Sequence, residues 1–114
     1  MKKYAILFLA ISCLISCSEA VIEDLPPDPI TTQVKYITNV KSIIDANCVG
    51  CHGAISPNAG LSLTNYLQVR NAAENGNLVG RINNVSSPMP PSGLMSSNDR
   101  AIIDQWIIDG YIEN

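Results

Sequence analysis

The five residues Cys48-Val49-Gly50-Cys51-His52 constrain this chain more than any other stretch, because they hold two of its four cysteines and its only histidine. Two cysteines three residues apart on a helical turn project to one side, and the adjacent imidazole follows them. Such a cluster asks for something to hold. The need is sharpened by size: once the N-terminal segment is set aside, residues 32–114 form a domain in which hydrophobic burial alone gives marginal stability.

C-x-x-C-H is the spacing through which c-type haem is attached. The two thiols add to vinyl groups on neighbouring pyrroles, and the histidine brings its imidazole under the iron. Three other readings compete. A thioredoxin-like redox pair needs a βαβ context, and no segment here alternates in a strand pattern. A structural zinc site needs four ligands, and residues 32–114 contain no further Cys or His. A plain Cys48–Cys51 disulfide is disfavoured because such short-range bridges tend to be strained and reactive.

Iron held by His52 alone would stay open to small ligands, whereas a methionine on the other face favours electron transfer. Met89 and Met95 are the candidates. Met89 lies in Ser87-Pro88-Met89-Pro90-Pro91, where three prolines restrict the backbone and leave little entropy to lose on ligation. Met95 stands at the start of the last helix, where a methionine commonly fills a core gap. Met89 is therefore the preferred ligand, the alternative being a proline-rich turn with a packed methionine.

Apolar spacing predicts a helix over 38–47, with Val40, Ile43 and Ile44 on its inner face and Ile37 just before it. A second helix over 65–74 carries Tyr66, Val69 and Ala73 and stops at Asn75-Gly76. A short apolar turn, Leu78 to Ile82, follows. The last helix opens with Ser96 and Asp99 in capping-box spacing, stacks Ile102, Ile103, Trp106 and Ile107, and closes at Gly110. Gly53 to Leu63 and Asn83 to Leu94 are long loops of the kind that usually serve a site. The expected class is all-α, with three to four short helices and long loops around one covalently bound haem.

At the N-terminus, Lys2 and Lys3 precede an apolar run from Tyr4 to Ile15 broken only by Ser12, the pattern of a secretory signal. A bilayer span takes about 20 residues, so the run is too short to cross. It ends in Leu14-Ile15-Ser16-Cys17, which resembles the bacterial lipobox. Residues 1–16 are then the signal peptide and Cys17 the lipidated first residue; the alternative is an ordinary cut near Ala20 that discards Cys17. Cys13 has Ala10 where the lipobox leucine belongs. The prolines and acids up to residue 31 make residues 17–31 an extended tether, unless Val21, Ile22 and Leu25 pack on the domain. Ser18 does not resemble an inner-membrane retention signal, which favours the outer membrane, facing the periplasm. A formal net charge of -3 and a 15% charged content leave no basic patch for nucleic acid.

A helix entering Cys48-Val49-Gly50-Cys51-His52-Gly53, the Gly60-Leu61-Ser62-Leu63 segment, Val79-Gly80-Arg81-Ile82, Met89-Pro90-Pro91, and a last helix with Trp106-Ile107 and a closing Gly110 together resemble a class I cytochrome c domain. In particular they resemble the small membrane-anchored bacterial members, from Tyr36 to Tyr111. The resemblance implies that the first and last helices cross beside the haem. It makes Cys48 and Cys51 the thioether residues, His52 the proximal ligand and Met89 the distal ligand. The implied role is single-electron transfer between larger redox proteins, with no bond-making catalysis, as a monomer or as a subunit of a redox complex. The family often uses a proline carbonyl to orient the axial histidine; Pro57 is near, but its spacing assigns it no such role. Arg81 is a candidate partner for a haem propionate, and Trp106 belongs to the haem edge or to the helix crossing. The competing function is a haem-binding sensor or oxidoreductase subunit with a labile distal ligand, and the bland one a haem-free lipoprotein. A haem-free chain of this kind should show an apolar cavity bounded by Cys48, Cys51, His52 and Met89.

Overall fold

The computed structural model describes residues 32–114; the signal-like run, Cys17 and the tether up to residue 31 lie outside the described residues. The described chain is all-α, without strands. It contains α1 (Lys41–Asn47), α2 (Tyr66–Glu74), α3 (Leu78–Ile82) and α4 (Ser97–Ile108). A π-helical turn, Tyr36–Val40, leads into α1, and a 3₁₀ turn, Asn58–Gly60, interrupts the loop between α1 and α2. None of these helices is long and apolar enough to cross a membrane.

The π turn corrects the sequence reading of the first helix. Its wider winding puts Tyr36 in the core at 2% exposure and turns Ile37 outward at 51%. The chain ends hold it there: the Tyr36 amide donates to the Ile112 carbonyl at 2.8 Å and the Ile37 amide to that of Glu113 at 3.0 Å. Nearby, the Val34 amide donates to the Asp109 carboxylate at 2.6 Å. Residues 34–37 are thus tied to α4 and the tail that follows it.

Helix α4 starts at Ser96, whose Oγ accepts the Asp99 amide at 3.1 Å. Ile103 and Trp106 are fully buried, Ile102 and Ile107 partly so. The helix ends where Gly110 and Tyr111 take left-handed φ values of 87° and 60°. Glycine does this without steric cost, and the reversal brings the tail back over Tyr36 and Ile37. Trp106 Nε1 donates to the Ile112 carbonyl at 2.9 Å, the same oxygen that Tyr36 uses. The Trp106 ring packs against Tyr111, Tyr36 and Tyr66 at centroid distances of 5.3, 5.9 and 6.3 Å. Trp106 therefore belongs to the crossing of the terminal segments.

Asn65 caps α2 by accepting the Gln68 amide at 3.1 Å, and the helix buries Val69 and Ala72 before ending at Asn75. The short apolar turn after it is a helix of its own, α3, which buries Ile82. Val40, Ile44, Leu63, Val69, Ile82, Met95, Ile103 and Trp106 share one core cluster. That core backs one wall of a pocket lined by the two long loops together with α2 and α3.

Candidate cofactor pocket

The backbone continues helically past α1: Cys48 donates to Ile44 at 2.8 Å, Cys51 to Cys48 at 3.1 Å and His52 to Cys48 at 2.8 Å. These turns keep Cys48, Cys51 and His52 on the wall of one cavity. Cys48 is half-buried against the core, and burial pushes its thiol pKa up. Cys51 is exposed. Both are free thiols.

The loop after His52 folds back on it. The Asn58 amide donates to the Cys51 carbonyl at 3.0 Å and the Leu63 amide to the His52 carbonyl at 2.8 Å. Between these two ties, the Leu61 carbonyl comes within 2.9 Å of His52 Nδ1. A carbonyl only accepts, so Nδ1 carries the proton, and in the neutral ring Nε2 keeps a lone pair for a metal. The orienting carbonyl is that of Leu61, while the Pro57 carbonyl accepts the Gly60 amide at 3.0 Å. Ser56 and Ala59 in this loop adopt left-handed φ values of 47° and 56°, a local strain of the kind found beside functional sites.

Met89 arrives from the other loop. Its amide donates to the Arg81 carbonyl at 3.0 Å, which hangs the proline-rich segment on α3. Met89, Pro90 and Pro91 line the same cavity as Cys48, Cys51 and His52. Met95 is a core residue at 6% exposure and does not line it. The structure thus separates the two methionines.

The cavity has a volume of about 420 Å³, within the range of roughly 300–1,000 Å³ usual for small-molecule and cofactor sites. Leu61, Leu63, Ala72, Leu78 and Ile82 line other parts of its wall, and Asn47, Asn71, Asn75 and Asn77 are also among its lining residues. Arg81 is the one charged residue among its lining. Among the described residues, no group of three or more His, Cys, Asp or Glu side chains gathers as a metal cluster. Sequence reading missed the Leu61 carbonyl and the asparagine set. A backbone acceptor has no side-chain signature, and the four asparagines converge only when α1, α2 and α3 meet.

No protein-family model matches this chain, and searches of curated proteins and of solved structures returned no match.

Proposed function

We propose that the chain is a monohaem c-type cytochrome of the class I fold that passes single electrons between redox proteins. The observation that carries this reading is the convergence of two thiols, one imidazole and one thioether on a single apolar cavity, from segments about 40 residues apart in the chain. The residues fit the group. Cys48 and Cys51 would supply the two thioether bonds, His52 would offer Nε2 while Leu61 holds Nδ1, and Met89 would offer its sulfur as the second ligand. Arg81 offers a charge partner for a propionate in a lining otherwise free of charge.

Bound there, the haem supplies a one-electron couple at iron. The chain's own residues do the rest. The Leu61 carbonyl fixes the ring orientation and tautomer of His52. Leu61, Leu63, Ala72, Leu78 and Ile82 keep water from the site and lower its dielectric, which together with thioether ligation sets the potential. No proton or group transfer is needed. Export and lipid attachment at Cys17, on a bacterial membrane facing the periplasm, complete the proposal and rest on the sequence pattern of residues 1–17.

The deciding experiment is a pyridine haemochrome spectrum with in-gel haem staining of the denatured protein. One covalently retained haem per chain is the expected result. A colourless protein from a host competent in haem attachment refutes the proposal. Carbon monoxide then separates the functions: a six-coordinate carrier reacts slowly, and Met89→Ala reacts readily. A wild-type protein that reacts as fast as Met89→Ala is a ligand-binding haem protein.

A further inference from the structure

The loop that presents Met89 leaves α3 at Asn83 and reaches the core at Met95, and one side chain bonds both of its ends. Arg100, on α4, donates through Nη1 to Asn83 Oδ1 at 3.1 Å and through Nε to the Met95 carbonyl at 3.2 Å. We propose that Arg100 is a positioning residue for the distal ligand, a clamp that closes the methionine loop and holds Met89 in the cavity.

The rest of the loop shows why its ends matter. Inside it, the bonds are local: Asn84 Oδ1 accepts the Ser86 and Ser87 amides at 2.9 and 2.8 Å, and the Gly93 amide donates to Pro90 at 3.2 Å. Ser86 and Ser87 are exposed, and Val85 is 81% exposed, so little packing restrains this arm. The hydrogen bond that ties Met89 itself is its amide to the Arg81 carbonyl, two residues before Asn83. Any splaying at Asn83 therefore reaches that bond directly. Asn83 is also held from its own helix, its side-chain amide donating to the Val79 carbonyl at 3.2 Å. At the other end, Met95 is buried in the core, so its carbonyl is a fixed post. A planar guanidinium with several donors in fixed directions can bridge a side-chain amide and a carbonyl at once; an ammonium on a flexible stem cannot hold both in the same geometry. Joining the loop ends lowers the entropy of the open loop, in which the sulfur is away from its site. The clamp acts by favouring the ligated state without touching the iron.

This inference rests on Met89 being the distal ligand, and the test keeps the two apart. Imidazole affinity of the ferric holoprotein is measured spectroscopically in wild type, Arg100→Ala, Arg100→Lys, Asn83→Ala, Met89→Ala and Ile103→Val, with amide exchange at Met89 followed in each variant that retains it. Imidazole competes with the methionine, so a looser loop binds it more tightly. Loss of the charge-assisted bonds should tighten imidazole binding about tenfold in Arg100→Ala, and less in Asn83→Ala, which keeps the Met95 bond. Arg100→Lys should fall between wild type and Arg100→Ala, and Met89 amide exchange should accelerate in parallel. Ile103→Val loosens the same helix in the core and should leave both readouts unchanged. The clamp is refuted if Arg100→Ala binds imidazole as wild type does while Met89→Ala binds it far more tightly, or if Ile103→Val matches Arg100→Ala. Asn83→Ala carries the same decision should Arg100→Ala fail to fold. If Met89→Ala itself leaves imidazole binding unchanged, the distal-ligand assignment falls, and the clamp falls with it.

Discussion

Replacing Trp106 with Phe tests whether the crossing of the terminal segments is independent of the cofactor pocket. Trp106 is 0% exposed and packs on three tyrosine rings. The substitution removes the Nε1 bond to the Ile112 carbonyl, worth about 1 kcal/mol net. That oxygen keeps the Tyr36 amide as a partner, so no buried acceptor is orphaned and no desolvation penalty is added. The smaller ring also leaves a void among the tyrosines, which costs about 1–2 kcal/mol more. The sum, about 2–3 kcal/mol, is a large share of the roughly 5–15 kcal/mol that holds a small domain. Urea unfolding followed by far-ultraviolet circular dichroism, because the chain's one tryptophan is lost, should show the midpoint falling by about 1–2 M with unchanged slope. The haem spectrum and imidazole affinity should stay at wild-type values. A loss below about 1 kcal/mol, or a shifted haem spectrum, refutes the assignment of Trp106 to the crossing alone.

The two methionines should part company: Met95→Ala costs about 2–5 kcal/mol of stability and leaves the distal site closed. Met89→Ala opens that site to imidazole with a smaller stability loss; equal behaviour in both assays would undo the distinction. In the haem-free chain, burial raises the Cys48 pKa above its unfolded value, so the native state favours the neutral thiol. That contribution is complete below the unfolded pKa and is lost as pH rises through the higher folded value. Alkaline titration of stability should therefore show a fall in the haem-free chain that Cys48→Ala lacks. Ala59→Gly relieves a left-handed φ of 56° and should raise stability by up to about 1 kcal/mol, measured by thermal melting. A loss of stability would mean that the loop is not strained there.

The N-cap at Ser96 and the stop at Gly110 were readable because caps and terminators act through residues next to each other in the chain. The start of the first helix was not. Counting at 3.6 residues per turn placed Ile37 toward the core, and the π turn that instead buries Tyr36 is held by carbonyls of Ile112 and Glu113 from the far end of the chain. The helical register of Leu78 to Ile82 was also hidden, since five residues show too little period to separate a helix from a turn.

The site divides along the same line. Two thiols and an imidazole within one turn are a property of covalent spacing, and no packing is needed to bring Cys48, Cys51 and His52 together. Which methionine faces them, which carbonyl orients His52 and what holds the methionine loop closed all depend on groups far apart in the chain. Met89 lines the cavity because Arg81 receives its amide, Met95 is turned into the core, and Arg100 reaches both ends of the loop between them. Short-range geometry is written residue by residue, whereas these pairings exist only after the helices have packed, because each needs two surfaces to meet at hydrogen-bond distance.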